Sequence, residues 1–139
     1  MSPTPAVQAV SAVAKRCLRV LNADDVRELR DVARISFTRE GHAIETYADG
    51  AQALARITAD PTFDLVITDH HMPVMNGLEF VNRLREESFP GKIMVFSSEL
   101  SEAVANEYRR HSVDRILYKP VFPSTLRQNL KELFPAPAA

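Results

Sequence analysis

Asp24-Asp25, Asp69, Ser97 and Lys119 are the residues of this chain whose types can do chemistry together. Each follows a short apolar run: "LRVLNADD" carries the acidic pair, "LVITDHHMPVMNG" carries Asp69, "IMVFSS" carries Ser97 and "ILYKP" carries Lys119. Three carboxylates crowded together in a partly dehydrated cleft repel one another, at a cost on the order of a few kcal/mol, unless protons or a cation offset the charge. A hard divalent cation answers that need. Mg²⁺ accepts all-oxygen ligation and takes only a few protein carboxylates, completing its shell with water and phosphate oxygens. Such a site suits phosphoryl transfer, which needs positioning and charge neutralisation more than covalent help. A carboxylate can itself accept the group as an aspartyl-phosphate. Asp69, standing between the acidic pair and Lys119, is the best placed to do so; Lys119 would contact one phosphoryl oxygen and Ser97 would donate its hydroxyl to another.

For these residues to meet, four distant runs must end on one edge. Runs of strand length recur at Leu18–Leu21, Ala43–Tyr47, Leu65–Thr68, Ile93–Phe96 and Ile116–Tyr118. Between them apolar residues fall three or four apart, as in Leu29, Val32, Ala33 and Phe37, or Leu78, Val81 and Leu84, or Leu126, Leu130 and Leu133. Strand then helix, five times over, with strands that are apolar on both faces, predicts an α/β fold: a parallel sheet covered by helices on both sides. Ligands of such sheets bind beyond the carboxyl ends of the strands, where the winding reverses. The joints agree. Gly41 ends the first helix, Asp49 or Thr46 caps the second, Asn76-Gly77 turns into the third, Ser98 or Ser101 caps the fourth, and Ser124 caps the fifth just after Pro123.

The totals bound the alternatives. A chain of 139 residues, 45% hydrophobic and 25% charged with a net charge of −1, is one ordinary domain with no bulk attraction to nucleic acid or to an anionic membrane. The single Cys17 excludes an internal disulfide and a cysteine-built zinc site, and fits a cytoplasmic setting. Residues 1–16 have their positive charges after the apolar part, unlike a signal peptide, and are too short and weakly apolar to span a bilayer. They are expected to form a flexible leader, followed by one domain over 17–134 and a disordered tail over 135–139.

Taken with "EGHAIETYADGAQAL" at 40–54 and "DLVITDHHMPVMNGLEF" at 64–80, the acidic pair, Ser97-Ser98 and Lys119-Pro120 make the chain resemble the receiver domain of two-component response regulators, of the single-domain type. The separations of 44 positions from Asp25 to Asp69 and 22 from Ser97 to Lys119 match that family. The resemblance implies a three-layer (βα)5 doubly wound sheet in the order 2-1-3-4-5, flavodoxin-like. It implies transfer of a phosphoryl group to Asp69 from a sensor histidine kinase or phosphotransfer protein. Mg²⁺ would be held by Asp25, Asp69 and the backbone carbonyl of His71, with Asp24 helping through water. It implies a signal carrier whose only chemistry is its own phosphorylation and dephosphorylation, acting on a downstream protein partner rather than on nucleic acid or membrane. Homodimerisation through the fourth and fifth helices and a cis Lys119-Pro120 bond are further expectations of the family.

Departures from the family pattern sit at three places. Ile116 occupies a position where an aromatic is usual, Ser97 replaces the commoner threonine, and Asn22 stands in the central strand where an aliphatic is usual and needs a buried hydrogen-bond partner. His70 and His71 are adjacent on an extended chain and point opposite ways, which disfavours a shared metal. His71 and Glu99 are expected at the mouth of the site, where they would tune the lifetime of the phosphoryl group. Phe122, Leu126, Leu130 and Leu133 are expected in or near the core. Two rival functions remain at this point: a degenerate receiver that only binds proteins, and a small aspartyl-nucleophile phosphatase. The second lacks an acid two residues after Asp69, where His71 stands.

Overall fold

The computed structural model describes residues 17–135; the leader expected at 1–16 and all of the expected tail except Pro135 lie outside the described residues. Five strands, β1 (Arg19–Ala23), β2 (Ala43–Tyr47), β3 (Leu65–Thr68), β4 (Lys92–Ser97) and β5 (Arg115–Tyr118), alternate with α1 (Arg27–Arg39), α2 (Gly50–Ala59), α3 (Gly77–Glu86), α4 (Glu102–Arg110) and α5 (Pro123–Leu133). All strand pairs are parallel, and the sheet runs β2-β1-β3-β4-β5. No helix among the described residues is long and apolar enough to cross a membrane.

Alternation along the strands sorts the core into two layers. On one face Leu21, Ala23, Val66, Ile93 and Val95 pack against Ala53, Leu54 and Ile57 of α2, Phe80, Val81 and Leu84 of α3, and Tyr108 of α4. On the other, Leu18, Val20, Leu65, Ile67 and Met94 meet Phe37 of α1 and Leu130 of α5. Each fully buried large side chain stabilises by about 1.5–3 kcal/mol, so the sheet is fixed by burial on both sides.

Local signals act as the residue types demand. The Asp49 side chain accepts the Gln52 N–H at the start of α2, Asn76 and Glu79 form a reciprocal capping box on α3, and Ser101 accepts the Val104 N–H on α4. Gly41 takes φ 87° just past α1. Ser124 is not a cap: Pro123 occupies the first helical position, so α5 starts two residues earlier than a Ser124 cap would set, behind Phe122, which has no capping side chain. Phe122 is correspondingly 62% exposed rather than near the core. The apolar spacing of α1 also buries less than expected, because only Phe37 is buried while Leu29, Val32 and Ile35 remain exposed with Val26. Asn22 donates from Nδ2 to the Ile67 carbonyl at 3.3 Å, the partner its position requires, and its Oδ1 is left as the one buried side-chain polar atom without a partner among the described residues.

Candidate functional site

β1 and β3 are adjacent and in register, so the residues that follow them emerge side by side. The ladder is extended one step past the strands by the Asp69 N–H on the Ala23 carbonyl (2.9 Å) and the Asp24 N–H on the Tyr47 carbonyl (3.0 Å). On the far side the Lys119 N–H donates to the Ser97 carbonyl at 2.8 Å, bringing the end of β5 to the same edge. The Lys119-Pro120 bond is cis.

Three acids and a lysine converge there. Lys119 Nζ lies 3.0 Å from Asp24 Oδ2 and 3.4 Å from Asp69 Oδ2. Asp24 and Asp69 are 5% and 7% exposed, and Asp25 is exposed. One oxygen of each of the three acids lies within 4.8 Å of the others. The remaining lone pairs are tied locally: Asp24 Oδ1 accepts the Val26 N–H at 3.0 Å, and Asp69 Oδ1 accepts the His70 N–H at 2.8 Å. Arg30, from the second turn of α1, donates to the Asp24 carbonyl at 2.8 Å and holds the acidic pair from behind.

Electrostatics follow from this crowding. Burial pushes the Asp69 carboxyl above its ordinary value, and the Asp24 charge pushes the same way, while the Lys119 ammonium and the His70 N–H oppose both. Lys119 pairs with two of the three carboxylates and leaves Asp25 outside its reach, so the cluster gains from a further cation, and an all-oxygen group opening at the exposed Asp25 has the donor chemistry that Mg²⁺ takes. The residues present therefore fit that ion.

Ser97 is fully buried at the end of β4 and its hydroxyl donates to the Glu99 carbonyl at 3.3 Å, so it stands at the expected edge but engaged with its own loop. His71 is exposed and lines an open cleft with Asp25, His70, Met72, Pro73 and Asn76, and Glu99 is exposed as well. The two histidines do not point opposite ways as an extended chain would require: the chain bends at His70 and their rings meet edge to face with centroids 4.8 Å apart. His70 turns inward, where Nδ1 and the Tyr108 hydroxyl share a 2.6 Å hydrogen bond. Tyr108 has no exposed surface, and burial pushes its hydroxyl far above the ordinary phenol range while pushing His70 down. Apolar spacing places Tyr108 on the inner face of the fourth helix but not at the site, and nothing in the sequence points to Arg30, since both reach the site from helix turns that carry no motif.

Comparison with known proteins gives one consistent picture. The family model described as the response regulator receiver domain matches residues 20–131. The virulence sensor protein BvgS of Bordetella bronchiseptica is 31% identical over 137 residues, covering 94% of this chain, and the sensor histidine kinase AruS of Pseudomonas aeruginosa is 31% identical over 134 residues, again covering 94%. The chain spans only 11% and 13% of the length of those two sensors. Among solved structures, the chemotaxis protein CheY4 of Vibrio cholerae superposes with a TM-score of 0.78 at 32% identity, covering 85% of this chain and 99% of that one.

Proposed function

The chain belongs to the response regulator receiver family, and from that membership we propose that it is a phosphoacceptor signalling module in which Asp69 takes a phosphoryl group from a sensor histidine kinase or a phosphotransfer protein. The observation that carries this reading is Lys119 Nζ at 3.4 Å from Asp69 Oδ2, beside the oxygens of Asp24 and Asp25. No other group of three or more acidic, histidine or cysteine side chains among the described residues could hold a cation in this way.

Asp69 attacks phosphorus, the bond from phosphorus to the donor atom breaks, and its electron pair leaves with the donor. Lys119 stabilises charge on a transferring oxygen from one side. Mg²⁺, held by Asp25, Asp69 and the His71 backbone carbonyl with Asp24 acting through water, would neutralise charge on the phosphoryl oxygens. Ser97 would give up the Glu99 carbonyl to donate to the esterified group, and that exchange would bias the loop after β4, α4 and β5 toward a second arrangement with a different partner surface. Residues 17–134 make up the receiver unit of this proposal, its setting is the cytoplasm, and its output is a protein contact.

Incubation with Mg²⁺ and acetyl phosphate, read by intact mass, tests the reading: acetate leaves as the phosphorus–oxygen bond to it breaks, and the protein gains one phosphoryl group. Asp69→Asn is expected to abolish the gain, and Lys119→Ala to slow it roughly tenfold or more. A label that persists in the Asp69→Asn protein overturns the proposal.

A further inference from the structure

The structure assigns Tyr108 a part in phosphoryl acceptance as a positioning residue: its hydroxyl anchors the His70 ring, and through the His70 main chain fixes the rotation of the Asp69 carboxylate. This rests on the phosphoacceptor reading above and adds to it a residue 39 positions away in sequence, on α4.

His70 is held at three points. Its N–H donates to Asp69 Oδ1 at 2.8 Å, its carbonyl accepts the Gly77 N–H at 2.9 Å, and its ring bonds Tyr108 at 2.6 Å with the two rings edge to face, centroids 5.6 Å apart. The first of these contacts sorts the two carboxylate oxygens, since Oδ1 is committed to the main chain and Oδ2 is turned to Lys119. A carboxylate that rotates freely presents either oxygen in many directions; one that is pinned presents a single lone-pair direction to phosphorus, which is the kind of pre-orientation that raises rates.

The tyrosine is built in rather than incidental. Its side chain is fully buried among Phe80, Leu84 and Val95, so its hydroxyl has left water and depends on this bond. Room for that hydroxyl exists only because residue 77 is glycine. A Cβ there would lie 2.6 Å from Tyr108 Oη, 2.2 Å from the Asp69 carbonyl and 3.0 Å from His70 Cα. The loop after β3, the start of α3 and the second turn of α4 are thus fitted around one oxygen atom.

The test compares wild type with Tyr108→Phe, which removes only the hydroxyl, with His70→Leu, and with His70→Gln, which keeps an acceptor for the phenol. Two readouts are taken. In metal-free protein, hydrogen exchange at the His70 backbone amide is expected to speed up about fivefold in Tyr108→Phe and His70→Leu, the loss of about one ordinary hydrogen bond. In the acetyl phosphate assay with Mg²⁺, both variants are expected to label about fivefold more slowly. The double variant should be no slower than either single one, because the two substitutions break the same pair. His70→Gln should recover most of the rate. Should Tyr108→Phe label and exchange at the wild-type rate, or should the two losses multiply in the double variant, the positioning role is overturned while phosphoryl acceptance stands. A wild-type protein that takes no label at all overturns both.

Discussion

The two ends of the sheet handle acidic residues in opposite ways. At the amino end, Asp64 Oδ2 accepts the Arg19 N–H at 2.8 Å and Asp114 Oδ2 accepts the Ile93 N–H at 2.8 Å, each carboxylate closing an open ladder position while its own N–H bonds back to the same neighbour. Cations stand within reach: Lys92 and Arg85 lie 3.9 and 4.0 Å from Asp114. At the carboxyl end, Asp24, Asp25 and Asp69 face one another around a single lysine. Charge at one end is placed where it completes the fold. At the other it is held at a cost that the fold bears and that the proposed cation would relieve.

This contrast is open to measurement, most directly where the carboxyl end is tightest. Gly77→Ala should lower the unfolding free energy by about 3 kcal/mol in urea titrations, because the added carbon meets main-chain atoms that cannot yield; a loss below 1 kcal/mol would mean that the loop relaxes freely. Next, Mg²⁺ at about a hundred times its dissociation constant should raise the unfolding free energy of wild type by about 2.7 kcal/mol, and far less in Asp69→Asn. Asp114→Ala should cost about 2 kcal/mol through a lost charge-assisted bond to main chain, whereas Asp69→Asn should stabilise the metal-free protein by about 1 kcal/mol at pH 7. Equal signs for the two aspartate variants would erase the distinction between the ends.

The smallest effect is in the pH dependence. Folded Asp69 has its carboxyl raised above the unfolded value, so the native state holds its proton more readily, and stability is lost as pH rises through that folded value. At the amino end the sign reverses. His42 Nδ1 accepts the Leu18 N–H at 3.0 Å, and burial depresses its folded value, so its contribution is present above the unfolded value near 6.5 and is lost as pH falls below it. Unfolding free energy should therefore fall between pH 7.5 and 5.5, and His42→Gln should remove part of that slope, His70 supplying another part. Identical slopes in the two proteins would count against the His42 assignment.

Much of this was legible in the residue string, and the reasons are local. A cap is a contact between neighbours, so Asn76 announces itself and the caps of α2 and α4 narrow to two candidates each, of which Asp49 and Ser101 serve, and apolar alternation sorts strands from helices without knowledge of the whole. The meeting of Asp24, Asp25, Asp69 and Lys119 was readable because the strand ends of a parallel sheet must share an edge. Ser124 misled because proline already sets the first helical torsion one residue earlier, and Phe122 misled because a residue just outside a helix does not inherit its buried face. The His70–Tyr108 bond was invisible for a different reason: it depends on how α4 is rotated and seated, which no periodicity encodes. The same holds for Arg85, whose guanidinium bonds the carbonyls of Phe89, His111 and Ser112 and so closes the ends of α3 and α4 together.

Asn22 offers a practical lever for anyone wishing to use this protein as a scaffold. An aliphatic side chain of similar volume at that position would trade a dehydrated amide oxygen for ordinary packing on the α1 and α5 side of the central strand. The gain in ruggedness would come without touching any group that meets a donor or a cation, so a sturdier version of the molecule is one codon away.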